Sequence, residues 1–150
     1  MTIRHIVCCT DFSENADAAF SAALEMAQKY AAHLTVLHVL PPVINPTLAD
    51  TEGIVPEAPK ESLLLKLEEK MEQSYGSRIG KQVDYRLTVL DGHESTEILR
   101  YLEEERVDVV VMGSYGLSGM GLVLFGSVAK RVAHKAPCSV LIVRHRPERT

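Results

Sequence analysis

The hydrophobic residues of this chain gather in short runs, separated by longer segments in which apolar residues recur at helical spacing. Four of the runs are almost continuously apolar, which is typical of strands in a parallel sheet covered on both faces. The third run in chain order alternates more, so we expect it to lie toward one edge of the sheet. The predicted strands are Ile3–Thr10, His33–Val39, Val83–Leu90, Val107–Met112 and Cys138–Val143.

Helical patterns fill most of the segments between these strands. Ser13 fits the N-cap of the first helix, because Glu14 and Asp17 then fall in the first turn, where the helix dipole favours acidic residues. Pro41–Pro59 holds five of the seven prolines and no apolar period, so we predict a long loop that is mobile or serves as a lid or partner surface. The other predicted helices are Glu61–Arg78, Glu94–Arg106 and Ser127–Ala136.

The alternation of strands and helices predicts an α/β fold with a single parallel, doubly wound sheet, helices on both faces and right-handed crossovers. The length of 150 residues and the hydrophobic content of 46% suit one ordinary domain that spans residues 1–150. In such sheets, ligands bind at the carboxyl ends of the strands, where the winding reverses. We therefore expect a binding site at that edge of the sheet.

Charge and cysteine content exclude several functional classes. The net charge of −4, with no basic stripe, argues against a nucleic-acid partner. No apolar run is long enough to cross a bilayer, and the first residues lead into a strand rather than a signal peptide, so we expect a cytoplasmic protein. Cys8, Cys9 and Cys138 lack metal-type spacing and are expected to be reduced, and the six histidines form no zinc-binding pattern.

A glycine-rich segment, Met112–Val128, joins the fourth predicted strand to the last predicted helix. The first N–H groups of a helix lack intrahelical partners and the helix dipole adds partial positive charge, so this junction can hold a phosphate. Ser114–Phe125 contains no charged residue, so N–H groups, hydroxyls and a metal ion would meet the phosphate charge. The pattern G-x2-G-x9-G-S/T is formed by Gly113, Gly116, Gly126 and Ser127.

This pattern, with the opening Ile-Val-Cys-Cys-Thr-Asp-Phe-Ser and the closing Ala-Pro-Cys-Ser-Val-Leu-Ile-Val-Arg, resembles the ATP-binding branch of the universal stress protein family over essentially the whole chain. The resemblance implies the strand order 3-2-1-4-5, ATP as ligand, with Mg²⁺ accompanying its phosphates, and a homodimer formed through Cys138–Val143. An ordinary buried strand in a monomer is the alternative for that segment. Implied contacts are Thr10, Asp11 and Val39 for adenosine, Met112 for the base or ribose, and Gly113, Gly116, Gly126, Ser127 and Val128 for the phosphates.

Asp11 has two interpretations. Its position alone favours a turn or capping role, because Asp is common where a strand leads into a helix. The resemblance favours contact with adenosine instead. The chain departs from the usual family pattern at Cys9, Tyr115 and Leu117, which bears on phosphate affinity more than on adenine recognition.

Three functions are compatible with the sequence. The leading hypothesis is an ATP-binding stress-response and signalling protein that acts as a homodimeric nucleotide-dependent sensor, without dedicated catalysis. The second is a slow ATP hydrolase, but the chain has no GxxxxGK pattern whose lysine would reach the β- and γ-phosphates, and no catalytic residue can be named. The third is an interaction module with a vestigial nucleotide pocket, and the retained glycine pattern argues against it.

Overall fold

The computed structural model describes residues 1–42, 57–114 and 126–146. Gly116, which we predicted to contact phosphate, lies outside the described residues, and so do Tyr115 and Leu117. Most of the predicted proline-rich loop, residues 43–56, lies outside them too. Within the described part of the chain, no helix is long and apolar enough to cross a membrane.

Five parallel strands form a single sheet in the order β3-β2-β1-β4-β5. The predicted fold class and the strand order implied by the resemblance are therefore confirmed. The strand with the more alternating sequence, β3, lies at one edge of the sheet, as its pattern predicted. The strands are β1 (His5–Cys9), β2 (His33–Leu40), β3 (Tyr85–Asp91), β4 (Val109–Gly113) and β5 (Ser139–Val143).

The α-helices of the described residues are α1 (Glu14–Tyr30), α2 (Glu57–Ser74), α3 (Glu94–Glu104) and α4 (Ser127–Lys135). The N-cap of α1 is Ser13, as predicted, and its hydroxyl accepts a hydrogen bond from the Ala16 N–H at 3.2 Å. The predicted loop Pro41–Pro59 extends too far, because α2 already begins at Glu57. Pro59 falls in the first helical turn, where a missing backbone N–H costs nothing. A 3₁₀ helix, Gly76–Arg78, follows α2.

The sheet separates two hydrophobic cores, because successive side chains of a strand point to opposite faces. α1 and α2 cover one face, and the largest buried side chains there include Phe20 and Tyr75. α3 and α4 cover the other face, which buries Ile98. The adjacent residues Cys8 and Cys9 accordingly belong to different cores, and both are free thiols.

The centre of the sheet is the point from which the chain winds outward in both directions. β1 pairs with β4, with Cys8 opposite Val111, although the two strands are far apart in the sequence. On its other side β1 pairs with β2, where Cys9 lies opposite Leu37. The carboxyl ends of β1, β2 and β4 therefore border one crevice, where a doubly wound sheet is expected to bind its ligand.

Candidate functional site

A cleft of about 310 Å³ opens at the carboxyl ends of β1, β2 and β4. Its volume lies at the lower end of the range typical for small-molecule sites, roughly 300–1,000 Å³. Of the nine site residues predicted from the sequence, Gly116 lies outside the described residues. The structure brings the other eight together in the lining of this cleft: Thr10, Asp11, Val39, Met112, Gly113, Gly126, Ser127 and Val128.

Several residues that the sequence did not predict also line the cleft. Leu37 and Ile98 join Val39 and Met112 to form an apolar region, in which each side chain is at most 5% exposed. Glu94, the first residue of α3, is half-buried and is a second acidic residue in the lining, in addition to Asp11. The position of Glu94 just after the carboxyl end of β3 could have suggested a site residue. That prediction would have required knowing that α3 packs against β2.

Both interpretations of Asp11 describe features that this residue combines. Its Oδ1 accepts a hydrogen bond from the Ser13 N–H at 3.0 Å, so the carboxylate shapes the turn between β1 and α1. Asp11 also lines the cleft. A capping role in the turn therefore does not remove it from the candidate site.

Gly113 is a glycine for a reason that the sequence did not reveal. The family resemblance implies that this residue contacts a phosphate. A Cβ at this position would lie 2.8 Å from the carbonyl carbon and oxygen of Asn15, in the first turn of α1. Close packing of β4 against α1 is therefore sufficient to require glycine, whether or not a ligand approaches.

The start of α4 offers backbone donors to the cleft. The Gly126 N–H is already used, because it donates to the Ser114 carbonyl oxygen at 2.7 Å. The first intrahelical bond runs from the Lys130 N–H to the Gly126 carbonyl at 3.0 Å. The amides of Ser127, Val128 and Ala129, which all line the cleft, are thus the first-turn groups that a helix leaves for an anion.

The profile of the universal stress protein family matches residues 2–144. The chain belongs to this family. Among its relatives, the universal stress protein YxiE of Bacillus subtilis is 32% identical over 145 residues, covering 89% of this chain and 94% of YxiE. This agrees with the resemblance inferred from the glycine pattern and the two ends of the chain.

Solved structures of universal stress proteins share the fold. That of MJ0577 from Methanocaldococcus jannaschii is similar with a TM-score of 0.83 at 26% identity, covering 99% of this chain and all of that one. A universal stress protein of Archaeoglobus fulgidus in complex with dAMP has a TM-score of 0.65 at 22% identity, covering 95% of this chain and 98% of that one. The second likeness is one of fold.

A second cavity, of about 390 Å³, adjoins the cleft of this universal stress protein and shares Glu94, Ser127 and Val128 with it. Arg131, on the second turn of α4, lines the added space together with His93 before α3. The two cavities together leave room for a ligand that extends from the apolar region to the guanidinium of Arg131.

The carboxylates of the cleft suit an auxiliary role toward Mg²⁺. Asp11 and Glu94 are oxygen donors of the type that this ion prefers. No group of three His, Cys, Asp or Glu side chains able to hold a metal ion occurs among the described residues. A Mg²⁺ ion that entered with a nucleotide would therefore take most of its ligands from phosphate oxygens and water.

Cys9 contributes a neutral thiol to the wall of the cleft. Burial raises the pKa of this thiol to about 12, and the negative charges of a Cys138 thiolate and of Glu94 act in the same direction. Because the thiolate is the nucleophilic form, Cys9 is unreactive near neutral pH. Its contribution to the cleft is shape and apolar surface.

Proposed function

We propose that the cleft binds an adenine nucleotide, with ATP as the physiological ligand, and that the protein is a nucleotide-dependent sensor in stress signalling. The observation that carries the proposal is the convergence of an apolar region, two carboxylates and the start of α4 in one cleft. Nucleotide binding by a family member of known structure, the Archaeoglobus fulgidus protein in complex with dAMP, supports the ligand class.

In the proposed complex, the base lies in the apolar region, where Val39 and Met112 contact it. The ribose hydroxyls face Asp11, because a carboxylate is a good hydrogen-bond acceptor for them. The phosphates lie at the start of α4, where the amides of Ser127 and Val128 donate to them. An outer phosphate extends toward Arg131 in the adjoining cavity, with Mg²⁺ bound mainly by the phosphates.

Calorimetric titration of the ligand-free protein with adenosine, AMP and ATP, with and without Mg²⁺, tests the ligand class. We expect binding of all three, with affinity increasing as phosphates are added. Absence of binding heat at millimolar concentrations of every ligand would contradict the proposal and favour an interaction module with an unused pocket. Conversion of bound ATP to ADP during the experiment would instead favour a slow hydrolase.

A matched pair of variants at Ser127 tests the phosphate position. Ser127→Ala removes only the hydroxyl, whereas Ser127→Pro also removes the backbone N–H. Proline is tolerated at the first position of a helix, and the extended conformation of Gly126 (φ −62°, ψ 154°) suits a residue before proline. We expect Ser127→Pro to bind ATP more weakly than Ser127→Ala by about 1.5–3 kcal/mol, the usual value of a hydrogen bond to a charged group.

Adenosine provides the control for this pair, since it lacks phosphate and should bind equally to both variants. Equal ATP affinities for Ser127→Ala and Ser127→Pro would show that the start of α4 does not hold the phosphates. A matching loss of adenosine affinity would point to a distorted cleft rather than a lost donor.

We also propose that the protein is a homodimer joined through β5. This strand pairs with β4 on one side, and no other strand of the described residues pairs with its outer edge. Leu141, in the middle of β5, is 39% exposed. In a dimer with two-fold symmetry, the commonest arrangement of homodimers, the β5 strands of the two copies pair with each other and cover this edge.

Sedimentation velocity tests the dimer, with Leu141→Asp as the disrupting variant. Leu65→Asp is the control, because Leu65 is another exposed leucine but lies on α2. We expect Leu141→Asp to shift the protein to monomer and Leu65→Asp to leave the dimer intact. A wild-type monomer, or loss of the dimer only in Leu65→Asp, would contradict the assignment of β5.

We further propose a cytoplasmic location, which is supported by the three cysteines. All of them are free thiols, and Cys8 and Cys9 are buried in separate cores. Free cysteines are usual in a reducing compartment. Fractionation of cells that produce the protein would test this, and recovery outside the cytoplasm would contradict it.

A further inference from the structure

Phe12, which directly follows Asp11, has an unusual backbone conformation. Its φ of 65° lies in the left-handed region. A residue with a bulky side chain populates this region less than the right-handed one by a factor on the order of ten. Conformations of this kind persist where several contacts impose them, and they cluster at functional sites. The contacts around Phe12 therefore indicate what holds the turn between β1 and α1 in place.

Hydrogen bonds of Thr10 fix this turn, and its own N–H donates to the Leu37 carbonyl oxygen at 2.9 Å. The Phe12 N–H donates to Thr10 Oγ1 at 2.9 Å, and the same hydroxyl is hydrogen-bonded to the Tyr75 hydroxyl. His38 Nδ1 lies 2.8 Å from the Thr10 carbonyl oxygen. Since a carbonyl can only accept, Nδ1 carries the proton and donates. Tyr75 and His38 thus hold Thr10 from two different parts of the chain.

The Phe12 ring is held by neighbours that include the same two residues. Its centroid lies 4.8 Å from that of His38 and 5.9 Å from that of Tyr75, with an angle of 23° between the planes of the Phe12 and Tyr75 rings. Lys70 Nζ lies 4.2 Å from the Phe12 centroid on the side of α2. Tyr75, which follows α2, is 2% exposed. The end of α2 is therefore connected to the turn, although no described residue of α2 lines the cleft.

These contacts have a consequence for the candidate site. Thr10 directs its hydroxyl toward Tyr75, on the face covered by α1 and α2, while Asp11 beside it lines the cleft over the other face. We infer that Tyr75 and His38 are positioning residues of the nucleotide site, because through Thr10 they hold the left-handed turn that presents Asp11 to the ligand. This inference rests on the proposed function for the identity of the ligand.

The effect of Tyr75→Phe on nucleotide affinity depends on the fraction of molecules in which the turn has the conformation that binds the ligand. Ligand affinity falls in proportion to the fraction of molecules whose turn is in the binding conformation. Without the Tyr75 hydroxyl, Thr10 loses one of the two side chains that are hydrogen-bonded to it, and a buried hydrogen bond changes such an equilibrium by about fivefold to tenfold. Tyr75→Phe should therefore weaken AMP and ATP binding by up to that factor, and equally for both, because the turn lies at the adenosine end.

A double-mutant cycle separates positioning from general destabilisation. Tyr75→Phe is measured alone and in an Asp11→Asn background, with binding of AMP as the readout. If Tyr75 acts through Asp11, its substitution has little further effect once the Asp11 carboxylate is gone. Tyr85→Phe is the matched control, since the Tyr85 side chain packs on the same face of the sheet and its hydroxyl has no hydrogen bond within the part of the chain that the structure describes.

His38 gives an independent pair of variants. His38→Asn keeps a donor at the position of Nδ1, whereas His38→Leu removes it. We expect near wild-type AMP affinity for His38→Asn and a measurable weakening, of up to about tenfold, for His38→Leu. Additive effects in the cycle, or an equal affinity for Tyr75→Phe and Tyr85→Phe, would overturn the inference.

Amide hydrogen exchange in the ligand-free protein tests the turn without any nucleotide. Tyr75→Phe should accelerate exchange of the Phe12 and Ser13 amides by at least fivefold, and Tyr85→Phe should leave it unchanged. A wild-type protein that binds no nucleotide would refute the proposed function. The exchange rates would in that case still test whether Tyr75 holds the turn. Unchanged exchange in Tyr75→Phe would overturn the inference even if nucleotides bind.

Discussion

Replacement of Gly113 by alanine tests how β4 and α1 meet beside the cleft. The added Cβ would lie 2.8 Å from two backbone atoms of Asn15, whereas ordinary van der Waals contact begins near 3.4 Å. The neighbouring atoms would have to move apart by about 0.6 Å, and backbone atoms cannot rotate away as a flexible side chain can. Overpacking of this kind costs about 1–3 kcal/mol, so we expect Gly113→Ala to lower the free energy of unfolding by that amount.

Thermal unfolding of the ligand-free protein measures this effect. For a domain of this size, the expected loss corresponds to a decrease in Tm of roughly 2–12 °C. Gly80→Ala is the matched control, because a Cβ there would meet no atom within 4 Å. Equal Tm values for the two variants would refute the packing argument. A loss of nucleotide affinity by Gly113→Ala at unchanged Tm would show that this glycine instead lets the ligand approach.

Other predictions concern charge, thiol reactivity and backbone conformation. The Asp108 carboxylate accepts hydrogen bonds from the N–H groups of Arg4 (2.8 Å) and His5 (2.9 Å), which lower its pKa. Its stabilisation is therefore complete above the unfolded pKa, near 3.9, and is lost as the pH falls through the lower folded pKa. Urea unfolding should find Asp108→Asn less stable than wild type at pH 7 and the two converging in acid; a constant difference would contradict this. Cys9, with a pKa raised to about 12 by burial, should react with iodoacetamide at pH 8 more slowly than the half-buried cysteine that precedes β5, and ATP should slow it further. Mass spectrometry measures both rates, and faster labelling of Cys9 would contradict its buried position. Gly92 has a φ of 136°, so Gly92→Ala should destabilise the protein by about 1–3 kcal/mol in the same urea assay, and an unchanged midpoint would refute that strain.

The order of strands and helices could be predicted from the sequence because each element carries its own periodicity. The strand order came from the family resemblance, since periodicity alone does not tell which strands are neighbours. Once that order is given, Asp11 and Gly113 must meet, because β1 and β4 are adjacent and parallel. The convergence of the predicted site residues follows from topology rather than from local sequence.

Other features of the site depend on tertiary contacts that have no local signature. The need for glycine at position 113 comes from Asn15, almost a hundred residues earlier. Phe12 has no sequence feature that favours a left-handed conformation, which is imposed by contacts with His38 and Tyr75. The predicted helix Glu61–Arg78 includes Tyr75, but this residue lies beyond the end of α2 and its hydroxyl is hydrogen-bonded to Thr10.

The central claim is that an adenine nucleotide occupies the cleft at the carboxyl ends of β1, β2 and β4. The most direct measurement is an NMR titration of the ¹⁵N-labelled, ligand-free protein with ATP and Mg²⁺. We predict chemical-shift changes for the amides of Thr10, Asp11, Gly113 and Ser127. No change is expected at Asp84, which precedes β3 and so lies at the amino ends of the strands, away from the cleft. Shifts confined to another surface, or none at millimolar ATP, would contradict the account.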